Sequence, residues 1–189
     1  MKRIAIFASG SGTNFQAIVD AARKGDLQAK VSLLVCDRPG AKVIERAKQE
    51  HIPSFVFRPK DYASKADFEQ EILTQLKEKE VEFIVLAGYM RLIGPTLLAA
   101  YEGKIVNIHP SLLPAFPGKD AIVQAYRAGV KITGVTVHYV DEGMDTGPII
   151  AQRAIPIHEG ESLEQLETRI HELEHQLYPS VLKTLLEHR

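Results

Sequence analysis

The chain has a single cysteine, Cys36, so it cannot form an internal disulfide, and a reducing compartment is expected. Cys36 closes an apolar run and reads as a packed strand residue. An excess of one charge is also missing. Lys and Arg number 23 against 24 Asp and Glu, for a formal net charge of -1. With no Lys/Arg run, that balance gives no electrostatic reason to expect nucleic acid or an anionic membrane as a partner. Long hydrophobic runs are absent too. Met1-Lys2-Arg3 is followed only by Ile4 to Ala8 before Ser9-Gly10. That is too short for a signal-peptide core or a membrane span, so a soluble cytoplasmic protein is expected. Repeats, low-complexity tracts and Gly/Ser linkers are likewise missing. Hydrophobic residues at 45% and charged residues at 25% are ordinary for a globular protein. A single domain over residues 1–189 is expected.

What is present is an alternation of short β-rich runs with helical patterns. Ile4–Ala8, Val31–Val35, Ser54–Phe57, Phe83–Ala87 and Lys104–His109 read as strands. Phe15–Arg23, Ala41–Glu50 and Lys65–Lys79 read as helices between them. This rhythm predicts an α/β, Rossmann-like fold, with a mainly parallel twisted sheet and helices on both faces. The second half differs. Pro110, Pro114 and Pro117 mark an ordered, non-helical loop. Ile132–Val140 and Pro148–Ile157 read as strands forming a partly antiparallel edge. Ser162–Tyr178 is a long amphipathic helix that Pro179 should kink or restart.

Ligands of open α/β sheets bind beyond the carboxyl ends of the strands. That rule selects the loops after the first, fourth and fifth strands. Ser9-Gly10-Ser11-Gly12-Thr13-Asn14 opens a helix, and its glycines and helix N-terminus favour an anion. A dinucleotide fingerprint fails because residue 15 is Phe15, and a Walker A loop fails for lack of Gly-Lys-Ser/Thr. Asp37 could mimic a ribose-binding acid, but a monophosphate fits the loop better. A plain strand-to-helix turn explains the same glycines. On the fifth strand, the period of two puts Asn107 and His109 on one face. An amide donor and an imidazole side by side suit a carbonyl that becomes an oxyanion, though a hydrogen-bonded pair closing the strand fits as well.

The turn Asp141-Glu142-Gly143-Met144-Asp145-Thr146-Gly147-Pro148 carries three carboxylates. It lacks the later Glu of an EF-hand and otherwise reads as a solvated acidic turn. A carboxylate brought beside His109 would keep the imidazole protonated. His171-Glu172-Leu173-Glu174-His175 matches the zinc-protease pattern H-E-x-x-H. The extended pattern would need Gly at 178 and His at 181, which are Tyr178 and Val181. No metal is therefore expected. Glu174 lies at the edge of the helix's apolar face, as a rim charge or a ligand contact.

Asn107-Ile108-His109-Pro110-Ser111-Leu112-Leu113-Pro114 resembles the signature of the folate-dependent formyltransferases. Gly88-Tyr89-Met90-Arg91-Leu92-Ile93 and Met144-Asp145-Thr146-Gly147-Pro148 match the same family in order, from Lys2 to about Leu186. The glycine loop and Glu174-His175 point to its purine-synthesis branch. The resemblance implies transfer of a formyl group from 10-formyltetrahydrofolate, a co-substrate, to the amine of 5-phosphoribosylglycinamide. It implies a catalytic trio of Asn107, His109 and Asp145, and acceptor binding by Gly12, Thr13, Asn14 and Glu174. It places folate at Lys65, Met90, Arg91, Leu92, Ile93, Asn107 and Asp141. It also implies a phosphate-binding half over about 1–100 and a folate and catalytic half over about 101–189. Two departures stand out: Thr13 replaces the more usual Ser, and Lys65 replaces a frequent Arg, losing its bidentate fork. Partners are expected to be small molecules, with self-association left open. Other readings are a formyl-transferring or formyl-hydrolysing relative, or a non-catalytic nucleotide-binding module. Relatives that formylate methionyl-tRNA or hydrolyse formyl-folate are expected to carry an extra domain.

Overall fold

Apolar residues alternate between two faces along each central strand, and this builds a three-layer molecule. The computed structural model describes residues 1–188. In β1 (Lys2–Ala8), Ile4, Ile6 and Ala8 enter one core while Ala5 and Phe7 enter the other. The same split recurs in β2 (Ala29–Cys36), β4 (Phe83–Leu86) and β5 (Ile105–His109). Two-sided burial explains why these strands read as nearly continuous apolar runs. Cys36 is buried within the first core, as its place at the end of an apolar run suggested.

Seven strands form one sheet in the order β3-β2-β1-β4-β5-β6-β7, with β3 at Ser54–Val56. The pairs from β3 through β5 are parallel. β6 (Ile132–Tyr139) and β7 (Ile149–Pro156) add antiparallel pairs at one edge. The chain is thus a single α/β domain with the mainly parallel sheet and antiparallel edge that the sequence suggested. Strand order reverses between β1 and β4, which opens the crevice in which α/β sheets bind ligands.

One face is covered by α1 (Thr13–Lys24), α2 (Lys42–Gln49), α5 (Ala121–Ala128) and α6 (Leu163–Glu187). The other is covered by α3 (Lys65–Glu78) and α4 (Pro95–Ala100). α4 and α5 have no counterpart in the sequence reading. They are six and eight residues long, too short for a sustained 3.6-residue period to show. Pro179 does not restart the last helix, which runs through it without a break. A mid-helix proline costs about 3 kcal/mol. Packing offsets this: Tyr178, Leu182 and Leu186 around it are buried, and the Tyr178 hydroxyl donates to Leu86 O at 2.7 Å. Among the described residues, no helix is long and apolar enough to cross a membrane.

Candidate active site

The loops after β1 and β4 are tied together beside the crevice. Ser9 N donates to Gly88 O at 3.0 Å. Ser9 Oγ donates to the buried Asp37 at 2.5 Å and accepts from Met90 N at 2.9 Å. Asp37 also accepts from Arg91 Nε at 2.9 Å. Asp37 therefore braces two loops, a role the sequence did not suggest.

The glycine loop turns tightly into α1. Gly12 caps α1 at φ 76°, in the left-handed region. A Cβ there would lie 2.6 Å from Val43 Cγ2, so only glycine fits. Arg46 Nε donates to Ser11 O at 2.7 Å and pins the loop from α2. Thr13 and Asn14 open α1, where backbone N–H groups lack intrahelical partners. Asn14 Nδ2 donates to Glu174 Oε2 at 3.2 Å, across 160 positions of sequence. Glu174 is 5% exposed, so it is a buried, paired carboxylate and not a rim charge. Its Oε1 also lies 2.9 Å from His171 Nδ1, and this contact pushes the His171 pKa up. Burial pushes the neighbouring His175 down. Asn14 Oδ1 is buried without a protein partner.

After β4, the side chains of the Met90–Ile93 segment divide. Ile93 is buried, whereas Met90 is 60% and Leu92 42% exposed. Met144, in the turn after β6, is exposed as well. Isolated exposed apolar side chains are common, but two within three residues at the mouth of a crevice make a surface suited to a flat ligand. Lys65 Nζ donates to Leu92 O at 2.9 Å, so its ammonium serves the loop backbone.

At the end of β5, Val106 and Ile108 enter the core on the α1/α6 side, and Asn107 and His109 take the opposite face. His109 Nε2 lies 2.9 Å from Phe116 O. A carbonyl only accepts, so that nitrogen carries a proton. His109 Nδ1 faces Asp145 Oδ2 at 3.5 Å. Asp145 sits at φ 56°, a left-handed conformation that Asp tolerates better than most residues, and its Oδ2 accepts from Gly118 N at 2.8 Å. The turn around it is fastened by Asp141, which accepts from Thr146 Oγ1 at 2.6 Å and Gly143 N at 3.0 Å. Those hydrogen bonds hold the Asp141 carboxyl below its ordinary value. The acidic turn is therefore fastened within itself and brings Asp145 to His109.

A fourth residue joins the three. His138 lies opposite Asn107 in the antiparallel register and is buried. Its Nδ1 faces Tyr139 O at 2.8 Å, so Nδ1 carries the proton. In the neutral ring Nε2 then accepts from Asn107 Nδ2, at 3.4 Å, which leaves the second amide hydrogen of Asn107 for another acceptor. The same Nε2 is 3.8 Å from Asp145 Oδ1. Thr136, opposite His109, donates to Ser111 O at 2.7 Å and accepts from Leu113 N at 3.1 Å, fixing the segment after His109. The alternation of β6 puts both residues on one face, but only the register sets them opposite Asn107 and His109.

The sequence matches the formyl transferase family over residues 2–182. It is 67% identical over 186 residues to the phosphoribosylglycinamide formyltransferase of Bacillus subtilis, with 98% of this chain and 95% of that protein covered. The fold is similar to the crystal structure of glycinamide ribonucleotide transformylase 1 from Geobacillus kaustophilus. That match has a TM-score of 0.96 and 76% identity and covers 98% of this chain and 99% of the other. The chain is also 43% identical over 187 residues to the trifunctional purine biosynthetic protein adenosine-3 of Drosophila melanogaster. It spans 14% of that protein's length.

Proposed function

The chain belongs to the formyl transferase family, and on that premise we propose that it transfers the formyl group of 10-formyltetrahydrofolate to the amine of 5-phosphoribosylglycinamide, a step of de novo purine (IMP) synthesis. The observation that carries this reading is the pairing of His109 with Asp145 at 3.5 Å, at the end of β5, the neighbour of β4 in the sheet. In the reading, the acceptor's phosphate rests on Gly12, Thr13 and Asn14, and Glu174 receives its polar groups. A carboxylate has more lone pairs than the two that Asn14 and His171 occupy. The pterin lies against Met90, Arg91, Leu92 and Ile93 and the turn holding Asp141, with Lys65 and Asn107 lining the donor site.

The acceptor amine attacks the formyl carbon. A carbon–nitrogen bond forms and the carbonyl becomes an oxyanion. Asn107 and the His109 imidazolium donate to that oxyanion, and Asp145, 3.5 Å from Nδ1, orients the ring. To serve this way, the His109 Nε2 proton must turn from Phe116 O to the oxyanion. Collapse breaks the bond to the folate nitrogen, and the amine's proton passes to that nitrogen through water or His109. An amine is nucleophilic enough that no covalent enzyme intermediate is required. The imidazolium supplies the countercharge, so the scheme uses no metal. The reading takes the protein to act in the cytoplasm on small molecules, without nucleic acid or membrane.

Formyl transfer from 10-formyltetrahydrofolate tests the proposal, with 5-phosphoribosylglycinamide, water and methionyl-tRNA as competing acceptors. Turnover that depends on the glycinamide is expected. Donor consumption at the same rate without it would indicate a hydrolase and refute the reading.

A further inference from the structure

The buried carboxylate of Glu69 takes no part in the chemistry above. It is 1% exposed, on the face of α3 that packs beneath the segment after β4. Its Oε2 accepts from Gly94 N at 2.8 Å, and its Oε1 is buried with no protein partner. Burial pushes the carboxyl above the usual range, while the Gly94 and Leu97 amides and Lys65 pull it back. A carboxylate in such a place costs stability, and an apolar residue of similar volume would fill the space more cheaply. What it provides is a fixed backbone. Lys65, one turn earlier on α3, donates to Leu92 O at 2.9 Å, so two side chains of one helix hold both ends of Leu92–Gly94. The fit is tight. A Cβ on Gly94 would lie 2.6 Å from Glu69 Oε1 and 2.9 Å from Lys65 Cδ. The other end of the segment is tied through Met90 N to Ser9 Oγ. The backbone is thus held at each end while the side chains of Met90 and Leu92 stay exposed.

We propose that Glu69 is a positioning residue of the donor site. Together with Lys65 it fixes the Leu92–Gly94 backbone against which the pterin rests, and so sets affinity for the formyl-folate and not for the acceptor. This rests on the reading of Met90–Ile93 as the folate segment. A clasp formed before binding spares the donor the cost of ordering that loop.

The test is steady-state kinetics of the wild type, Glu69→Gln and Glu69→Ala, with 10-formyltetrahydrofolate and 5-phosphoribosylglycinamide varied separately. Glu69→Ala should raise the donor KM about tenfold, the loss of roughly one hydrogen bond to a charged group. It should leave the acceptor KM within about twofold. Glu69→Gln keeps an oxygen for Gly94 N and should recover most of the donor KM. If Glu69→Ala does not fold, Gly94→Ala replaces it, because the added Cβ displaces the carboxylate and should produce the same split. Equal changes in both KM values, or none, would overturn the proposal. Amide exchange at Gly94 and Leu97 separates this failure from that of the underlying reading. Exchange that is no faster in the variant removes the clasp. Exchange that is faster, yet is not slowed by added 10-formyltetrahydrofolate in the wild type, removes the folate assignment instead.

Discussion

Asp145 is held by three contacts that no single stretch of sequence contains. The Gly118 amide takes Oδ2 at 2.8 Å, His109 Nδ1 lies 3.5 Å from the same oxygen, and His138 lies 3.8 Å from Oδ1. His109→Ala and Asp145→Ala should each lower kcat by roughly 10²–10³ with the fold intact, the usual cost of losing an oxyanion donor or its support. Asp145→Asn keeps an oxygen for Gly118 N but removes the charge, so its rate separates orientation from electrostatics. The His109→Ala/Asp145→Ala double variant should lose little more than either single one, because the two act as a unit. Fully additive losses in a cycle at saturating substrates would mean that Asp145 has another job. His171 gives a pH-dependent expectation. Its contact with Glu174 raises its folded pKa, with Glu167 adding to the shift. The contact therefore stabilises the fold fully below the unfolded value of about 6.5 and is lost as pH rises through the folded value. Half its side chain is exposed, so the effect is on the order of 0.5 kcal/mol. Urea midpoints should show His171→Gln destabilised near about pH 5.5 and matching the wild type near about pH 9; the opposite order would refute the ion pair. Asn107 and His109 were legible because the period of two on one strand places them together. His138 was hidden because only the register between β5 and β6 brings it to Asn107.

At the scale of elements, α6 shows how tertiary contacts override local preference. Ser162 and Gln165 form a capping box at its start, and that start was legible in sequence. Its passage through Pro179 was not, because what holds the helix there lies 92 positions away. The Tyr178 hydroxyl reaches Leu86 O at 2.7 Å and Val106 O at 3.3 Å, on the two strands that lead into the Met90–Ile93 segment and the loop after His109. Tyr178→Phe keeps the ring and removes the hydroxyl, so it should cost about 1–2 kcal/mol, as one lost buried hydrogen bond does. Urea unfolding at constant m would measure it. A change below about 0.3 kcal/mol would show that the proline is tolerated by packing alone. The glycine loop is a second case. The expectation that it holds an anion came from composition, but the reason Gly12 cannot change is Val43 of α2. Gly12→Ala should raise the acceptor KM and leave the donor KM in place. Val43→Ala should relieve only the steric part of the defect, since φ at residue 12 stays positive. Equal effects on both substrates would separate this loop from the acceptor.

At the scale of the molecule, the alternating first half made the parallel sheet legible, because a βαβ rhythm has few right-handed solutions. What sequence pattern does not supply is the closure of the last helix onto the first. α1 and α6 share one core, and Asn14 meets Glu174 at 3.2 Å. The proposed acceptor site is therefore made by residues from both ends of the chain. The expected phosphate-binding half over about 1–100 and catalytic half over about 101–189 would divide chemistry alone, and we expect them not to unfold separately. Under native conditions, amides in β2 and β6 should exchange through the same global opening and report the same free energy. With 5-phosphoribosylglycinamide at about a hundredfold excess over its Kd, both sets should gain about 2.7 kcal/mol of protection, because the ligand binds only the closed molecule. Two independent halves would behave differently. β2 would gain through the glycine loop, and β6, on the far side of β4 and β5, would gain nothing. Exchange measured with and without the acceptor distinguishes these outcomes. Protection confined to β1 and β2 would show that the contact between Asn14 and Glu174 does not couple the two ends of the chain.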